Sequence, residues 1–184
     1  MTLYTSVQNS VRNVTLVALS EYPTSPAIFA NENGSEPAES YVSISVLSIN
    51  QVGGHSTSTQ TNTDEELSIR IPYEAFIQFS FVGSNSGDMA HSFNQRIKNN
   101  PLVLEECSRN KLGVMRKSQV RRAPQKRDTQ WIDNHNIDVT FSYFVNTQQL
   151  VDVVEAVVIE AQIDEGIETA IIEILIPEDF VITP

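Results

Sequence analysis

The chain has 184 residues, a formal net charge of −11 and one cysteine, and 40% of its residues are hydrophobic. This length suits one domain with a substantial buried core. The excess of acids argues against a general nucleic-acid-binding protein, which needs cations to displace the counterions of phosphates. A lone cysteine cannot form an intrachain disulfide, and no apolar stretch approaches the ~20 residues that cross a bilayer. We therefore expect a protein that is made in the cytoplasm and has no membrane partner.

Charge is distributed in three blocks along the sequence. Residues 1–95 carry 2 cations and 9 acids, residues 96–127 carry 10 cations and 2 acids, and residues 128–184 carry 12 acids and no cation. We name residues 109–127, which hold eight cations and no acid, the basic belt. Residues 128–184 are named the acidic segment. Opposite charges on one chain favour a contact with a second copy or a partner; the alternatives for the basic belt are a nucleic-acid contact and a solvated loop.

The first quarter of the chain predicts a helix followed by two strands. Valines recur at helical spacing after Ser6, which we interpret as the N-cap, to about residue 20. A short strand is predicted at residues 27–30 and a longer one at residues 41–50. The apolar alternation of the longer strand slips at Leu47, as a β-bulge would produce.

A long β-hairpin is predicted next. Apolar residues alternate over residues 67–81, which indicates one long half-buried strand or two collinear strands broken near Pro72. The polar residues 50–66 hold little that could enter a core, so we interpret them as a long mobile loop between the two strands.

Two central helices are predicted after this hairpin. The first has Ser86 or Asp88 as its N-cap, and its apolar face consists of Met89, Ala90, Phe93 and Ile97. Pro101 suits the first position of the second helix, which Gly113 would end. Cys107 on this helix is interpreted as a packed core thiol, because no histidine or acid is placed to activate it as a nucleophile.

The last third of the chain predicts strands. Residues 137–145 alternate between apolar and polar side chains. Residues 150–163 fit a helix by their spacing and a strand by their five valines, and that choice stays open. With the turn signal that follows, we interpret residues 150–176 as an acidic terminal hairpin. The whole order predicts a single α+β domain over residues 1–184, with a mainly antiparallel sheet flanked by an N-terminal helix and one or two central helices.

Motifs of catalysis and of cofactor or metal binding are missing from the sequence, so we expect neither an enzyme nor a cofactor. Asp133, His135 and Asp138 lie close together in sequence, but polar residues before a strand usually form a turn. Trp131, directly before them, is either a core anchor or an interface anchor, and we favour the core.

Several phrases, in their order, resemble the bacteriophage neck or tail terminator family, also called tail-completion proteins. They are PAIFANEN with Pro37 and YVSISVLS in residues 26–48, EAFIQFSFVG with DMAHSF in residues 74–93, and NIDVTFSY followed by residues 153–158. The resemblance covers most of residues 5–160. It implies a ring, typically of six subunits, that stops polymerisation of the tail tube at its head-proximal end and offers a docking surface to the head connector. Genomic DNA would pass through the lumen without sequence-specific binding.

The resemblance implies a virion protein whose partners are its own copies and the tail tube protein, with sheath and head-connector proteins as further candidates. A ring of this kind needs two complementary faces on each subunit. We expect the basic belt and the acidic segment to supply them. The candidate interface residues are Arg109, Lys111, Arg116, Lys117, Arg121, Arg122, Lys126 and Arg127 on one side and Asp152, Glu155, Glu160 and Glu168 on the other. The alternatives are a head-completion or adaptor protein at the portal, and a nucleic-acid-binding module that uses the basic belt.

Overall fold

A computed structural model describes the backbone of residues 3–53, 57–60, 66–150, 157–161 and 170–174, and the side chains of residues 4–53, 69–126 and 128–146. The chain divides into two compact units, Met1–Thr57 with Arg70–Asn146 and Ser58–Ile69 with Thr147–Pro184. That residues 1–184 form one domain stays a prediction.

Three helices and eleven strands follow one another among the described residues. The helices are α1 (Leu3–Ala18), α2 (Ser86–Asn99) and α3 (Pro101–Arg109). The strands are β1 (Ala27–Phe29), β2 (Tyr41–Gln51), β3 (Thr57–Gln60), β4 (Glu66–Val82), β5 (Leu112–Lys117), β6 (Arg121–Arg122), β7 (Gln125–Arg127), β8 (Gln130–Ile132), β9 (Asn134–Leu150), β10 (Val157–Ala161) and β11 (Ala170–Ile174).

Seven of the strands form one sheet with the spatial order β1-β2-β4-β9-β5, in which β3 pairs with β4 and β6 pairs with β9. β1 runs parallel to β2, whereas the pairs β2–β4, β5–β9 and β6–β9 are antiparallel. β7 with β8 and β10 with β11 form two separate antiparallel pairs. The predicted α+β class with a mainly antiparallel sheet is therefore confirmed.

The core lies between the helices and one face of this sheet. Alternate side chains of a strand point to opposite faces, so one face of β4 can be wholly apolar while the other stays largely polar. The buried residues of β4, α1 and α2 include Ala75, Ile77, Phe79, Phe81, Val7, Val11, Val14, Met89, Ala90, Phe93 and Ile97. The Phe93 ring packs 4.7 Å from the Phe79 ring and 5.4 Å from the Phe81 ring, measured between centroids. The apolar face predicted for α2 is confirmed.

A β-bulge in β2 lies where the sequence pattern slips. The pairing register with β4 shifts between Val46 and Ser48, which leaves Leu47 as the extra residue. Leu47 is 50% exposed, because the bulge takes its side chain out of the alternation that reaches the core. The bulge is therefore confirmed.

The predicted N-caps were wrong at two helices. α1 begins at Leu3, so Ser6 lies within the helix. An exposed serine inside a helix costs little free energy, and no Gly or Pro interrupts the turn before Ser6. Asn85 occupies the N-cap position of α2. Ser86 is instead the first helical residue, and its hydroxyl lies 3.0 Å from His135 Nδ1 rather than capping the helix.

The second central helix begins as predicted and ends earlier. Pro101 is its first residue, and the Asn100 side chain accepts a hydrogen bond from the backbone N–H of Leu102 at 2.9 Å. The helix ends at Arg109, so Gly113 does not end it. Gly113 lies on β5 instead, where a Cβ would come 2.6 Å from the hydroxyl of Ser142 on the neighbouring strand.

The predicted loop was wrong in part, whereas one of the two alternatives for residues 67–81, a single long strand, is confirmed. Residues 50–66 contain β3, which pairs with β4, while residues 54–56 and 61–65 lie outside the described part of the chain. β4 runs without a break through Pro72. A proline lacks the N–H but keeps its carbonyl, and the Pro72 carbonyl accepts a hydrogen bond from Val52 N–H at 3.0 Å.

The segment whose structure the sequence left open is a strand at Val157–Ala161, where it pairs antiparallel with β11. Its register runs from Val157 opposite Ile174 to Ala161 opposite Ala170. Residues 151–156 and 162–169 lie outside the described part.

Cys107 on α3 is buried, and desolvation with a smaller effect of the Glu106 charge raises the pKa of its thiol to about 11. The thiol is therefore protonated at neutral pH, and the interpretation as a core residue is confirmed.

Replacing Phe93 by alanine tests the core. Phe93→Ala removes a fully buried ring between two others, so we expect a loss of about 3–5 kcal/mol in the free energy of unfolding. Urea denaturation measures it, and Phe76→Ala, at a residue 38% exposed on the other face of β4, is the matched control. Equal losses in the two variants would contradict the assigned faces of β4.

Alkylation of Cys107 tests its burial. With a pKa of about 11, the thiol of the folded protein is expected to resist iodoacetamide at about pH 8, while the urea-unfolded chain reacts fully. Mass spectrometry measures the added group. Rapid labelling of the folded protein would show that the thiol is accessible.

Candidate interaction surface

The three polar residues that cluster in the sequence after Trp131 do not form a site. They bond to different partners, Asp133 to Arg122, His135 to Ser86 and Asp138 to Arg121. Among the residues that the structure describes, no group of three or more His, Cys, Asp or Glu is arranged to hold a metal ion. None of the described helices is long and apolar enough to cross a membrane.

β5 and β6 of the basic belt lie along one edge of the main sheet, so this part of the belt is not the loop that one of the alternatives expected. β5 and β6 lie in turn along β9, with Leu112 opposite Tyr143 and Arg121 opposite Asn136. The backbone N–H of Ser118 also donates to the Asp138 carbonyl at 2.8 Å. This part of the belt therefore has a defined backbone.

Two lysines tie this edge to α2. Lys98 Nζ donates to the Met115 carbonyl at 2.7 Å, and Lys117 Nζ donates to the Asn94 carbonyl. Burial, with a smaller effect of the Lys98 charge, lowers the pKa of the Lys117 ammonium. A register shift between Val114 and Arg116 makes Met115 a bulge residue.

β1 and β5, the outer strands of the order β1-β2-β4-β9-β5, are each obstructed against addition of another strand. A bulge and lysines, as found on β5, are devices by which edge strands avoid pairing with other chains. At the opposite edge, β1 is three residues long, and its Phe29 N–H donates to the Glu32 carboxylate at 3.1 Å. We therefore expect this sheet to meet partners through side chains.

Several of the predicted interface arginines already have acidic partners in the same copy. The ion pairs are Arg109 with Glu105 at 2.6 Å and Glu106 at 3.6 Å, Arg116 with Glu74 at 3.8 Å, Arg122 with Asp133 at 2.6 Å, and Arg121 with Asp138. The hydrogen bond and the charge of Arg122 lower the pKa of the Asp133 carboxyl. Part of the charge of the belt is therefore neutralised within the copy, which the sequence analysis missed.

Lys111 and Lys126 are the exposed lysines of the belt. Lys111 has a positive φ of 55° at the tight connection from α3 to β5. Lys126 lies on β7, opposite Trp131 on β8.

The acidic side of the predicted interface lies mostly outside the described residues. Asp152, Glu155 and Glu168 lie outside the described residues. For Glu160, and for Arg127 of the basic belt, only the backbone is described. Glu160 is placed on β10 by its backbone, opposite Ile171. The contact between the belt and these acids stays a prediction.

The expectations of a core tryptophan and of a turn at residues 131–136 were wrong. Trp131 lies on β8 of the short β7–β8 ribbon, β9 begins at Asn134, and the Trp131 side chain is 69% exposed. The adjacent Ile132 is half-buried. Since neighbours on a strand point to opposite faces, Trp131 and Ile132 cannot both enter the same core. The Trp-Ile pair in a strand was the signal that could have found the exposed side chain.

The sequence matches the model of a known protein family. A family model described as phage neck terminator protein matches residues 1–169 of the chain. No curated protein is significantly similar to it. Proteins of this kind are structural components of the phage virion that interact with other head and tail proteins, which points to a non-enzymatic role. The chain belongs to the phage neck terminator protein family.

Proposed function

We propose that the chain assembles into a ring of about six copies at the head-proximal end of the phage tail, where it stops polymerisation of the tail tube. The same ring provides the surface on which the head connector docks. The family match over residues 1–169 is the observation that carries this proposal. The obstructed sheet edges support it, because a component that ends a polymer must not offer its own strands for further growth.

Termination follows from an asymmetry between the two faces of such a ring. A tube grows because each added ring exposes a new copy of the face to which it has just bound. The contact between rings is therefore heterologous and does not close. A ring that binds the tube end through one face and differs on the other removes the template for the next addition. The different face is then free to bind the connector.

Ring closure in this proposal uses the basic belt of one copy and the acidic segment of the next. Such charge pairs set the orientation and rate of association more than its strength, and salt screens them. Arg121 and Arg122 already form ion pairs with aspartates of their own copy. The exposed Lys111 and Lys126 would therefore contribute more to this attraction than the arginines.

DNA would pass through the lumen without specific binding. A net charge of −11 supports this, because acids that face the lumen repel phosphates. The guanidinium groups of Arg121 and Arg122 form ion pairs within their own copy and are poorly placed to bind phosphates. This counts against the alternative of a nucleic-acid-binding module.

Light scattering over a salt series tests the ring. We expect a mass of about six copies at low salt that falls toward the monomer as salt rises, because screening weakens the charge contacts. A mass that is unaffected by salt would contradict closure by opposite charges.

Electron microscopy of growing tail tubes tests termination in the same experiment. Tubes assembled from the tail tube protein should become shorter and carry a ring at one end when the chain is added. Rings that form while tube length stays unchanged would contradict the terminator role.

Charge reversal at Lys126 tests the proposed face. Lys126→Glu should slow assembly about tenfold at low salt and much less at high salt, because it replaces an attraction by a repulsion. Stopped-flow light scattering measures the rate. Arg12→Glu on α1 changes the net charge equally outside the belt and is the matched control, with circular dichroism to check its fold because the Arg12 guanidinium lies 5.6 Å from the Phe29 ring centroid. Equal slowing in both variants would indicate a general charge effect.

A further inference from the structure

One face of the main sheet is open. Among the described residues, the helices pack against one face, and two aromatic side chains are exposed on the other, Phe76 on β4 and Phe144 on β9. Short side chains occupy most positions around them, namely Ser43, Ser45, Ser48, Ser80, Thr140 and Ser142. The open face is therefore flat, and the two rings rise from it.

Arg70 and Phe144 form an exposed pair on this open face. The Arg70 guanidinium carbon lies 3.8 Å from the centroid of the Phe144 ring, which is a cation–π contact. Glu74, an acid on the same face of β4, is paired with Arg116 at 3.8 Å instead. Within the described part of the chain, Arg70 takes part in no ion pair. The pair thus combines an apolar ring with a cation that is still open to a carboxylate.

The opposite side of the same unit is formed by helices with exposed leucines. α1 and α3 lie side by side, and the Asn13 amide donates to the side-chain oxygen of Asn110 at 3.4 Å. Leu16 on α1 is exposed, and Leu102 on α3 is 62% exposed. Glu105 follows Leu102 by three residues, so the two side chains share one face of α3. This side therefore presents aliphatic side chains together with a carboxylate.

The two pairs complement each other, and each lies on a single surface. Leu102 is suited to pack on the Phe144 ring, while Glu105, one turn further along α3, is suited to accept from Arg70. Glu105 already accepts from Arg109 at 2.6 Å, but a carboxylate has about four lone-pair sites and can accept from two guanidinium groups. One contact therefore satisfies the apolar and the charged group at once.

A second copy of the chain carries the matching surface. The open face and the helices are opposite sides of one unit, so they cannot meet within a copy, and their contact joins two different faces. A closed ring requires such a heterologous contact. α3 also contains Arg109, the first residue of the basic belt, and Phe144 belongs to the acidic segment. The contact therefore joins two parts of the chain that carry opposite charge.

The geometry of the sheet also favours contact through this face. The outer strands β1 and β5 are obstructed against backbone pairing, which turns recognition toward the face. β2, β4, β9 and β5 lie side by side, and four strands about 4.8 Å apart and about 30 Å long offer roughly 500–600 Å² of flat area. The relief of the side chains raises this toward the about 800 Å² that each partner buries in a stable interface.

We propose that neighbouring copies of the ring join through α3 of one copy, which packs on the open sheet face of the next, with Leu102 on the Phe144 ring and Glu105 at Arg70. This inference rests on the proposed ring and names the faces that close it. Burial of the leucine and the ring gives the contact a part that salt does not weaken, while the ion pair orients the two copies.

Mixing two variants tests the contact. Leu102→Lys alters only the helix side and Phe144→Lys alters only the sheet face, so each variant keeps one face intact. Each variant alone should have a dissociation constant between copies raised by about tenfold or more, and should stay largely monomeric where the unmodified chain forms rings. An equimolar mixture should form dimers and nothing larger, because the intact helix side of one variant meets the intact sheet face of the other. Light scattering measures the masses.

Trp131→Lys, at an exposed apolar residue outside both faces, is the matched control and should form rings like the unmodified chain. Circular dichroism and urea denaturation check that each variant is folded. Normal rings from the Leu102 and Phe144 variants would overturn the proposal, and so would a mixture of the two that stays monomeric. Normal rings that no longer bind tail tubes would assign these faces to the tail tube protein, which also overturns it.

Exchange of the two charges tests the orientation of the contact. Arg70→Glu should raise the dissociation constant between copies by about tenfold, because it sets a carboxylate against Glu105 of the next copy. Adding Glu105→Arg to the same chain should recover most of this loss. A double variant that associates more weakly than Arg70→Glu alone would overturn the pairing.

The failure of this inference can be told apart from that of the proposed function. Rings that cap tail tubes and are insensitive to both lysine substitutions would overturn the inference and leave the terminator role in place. Rings that depend on both faces and leave tubes uncapped would do the reverse. A chain that stays monomeric at every concentration overturns the inference, because no contact between copies forms.

Discussion

The fold depends on the strict alternation of side chains along β4 and β9. One face of these central strands is packed by the helices, with the Phe93 ring seated against Phe79 and Phe81. A shift of one residue in the register would turn every buried ring toward water, so the core fixes the register of the sheet. The bulges at Leu47 and Met115 absorb irregularities of the outer strands without disturbing this centre.

The edge strand β5, which pairs with β9, is subject to two opposing requirements. A phage structural protein must meet its partners, yet a row of open backbone groups would pair with any available strand. Lys98 and the Met115 bulge obstruct the backbone of this edge, while the exposed lysines and Trp131 remain available beside it. Such an edge favours recognition through side chains, whose charge and shape select a partner, over backbone pairing, which has little selectivity.

Ion pairs within the copy reduce the net positive charge that the basic belt presents. Its cations look like one continuous positive surface in the sequence, but Arg121 and Arg122 are held by aspartates of the same copy. Exposed ion pairs of this kind contribute little stability, so their main effect is on the field that an approaching molecule meets. A weaker field disfavours capture of DNA.

The sequence by itself determined the features that local periodicity encodes: the apolar face of α2, the bulge at Leu47, the start of α3 at Pro101, and the phrases that resemble the family. Only the tertiary structure decided which partners residues find across the fold. Ser86 meets His135, Arg121 meets Asp138, and these residues are too far apart in sequence for any local pattern to pair them. The same limit explains Trp131, since its exposure depends on which side of the ribbon faces the unit. Periodicity reports the spacing of apolar residues along an element, whereas burial and pairing depend on how the elements pack together.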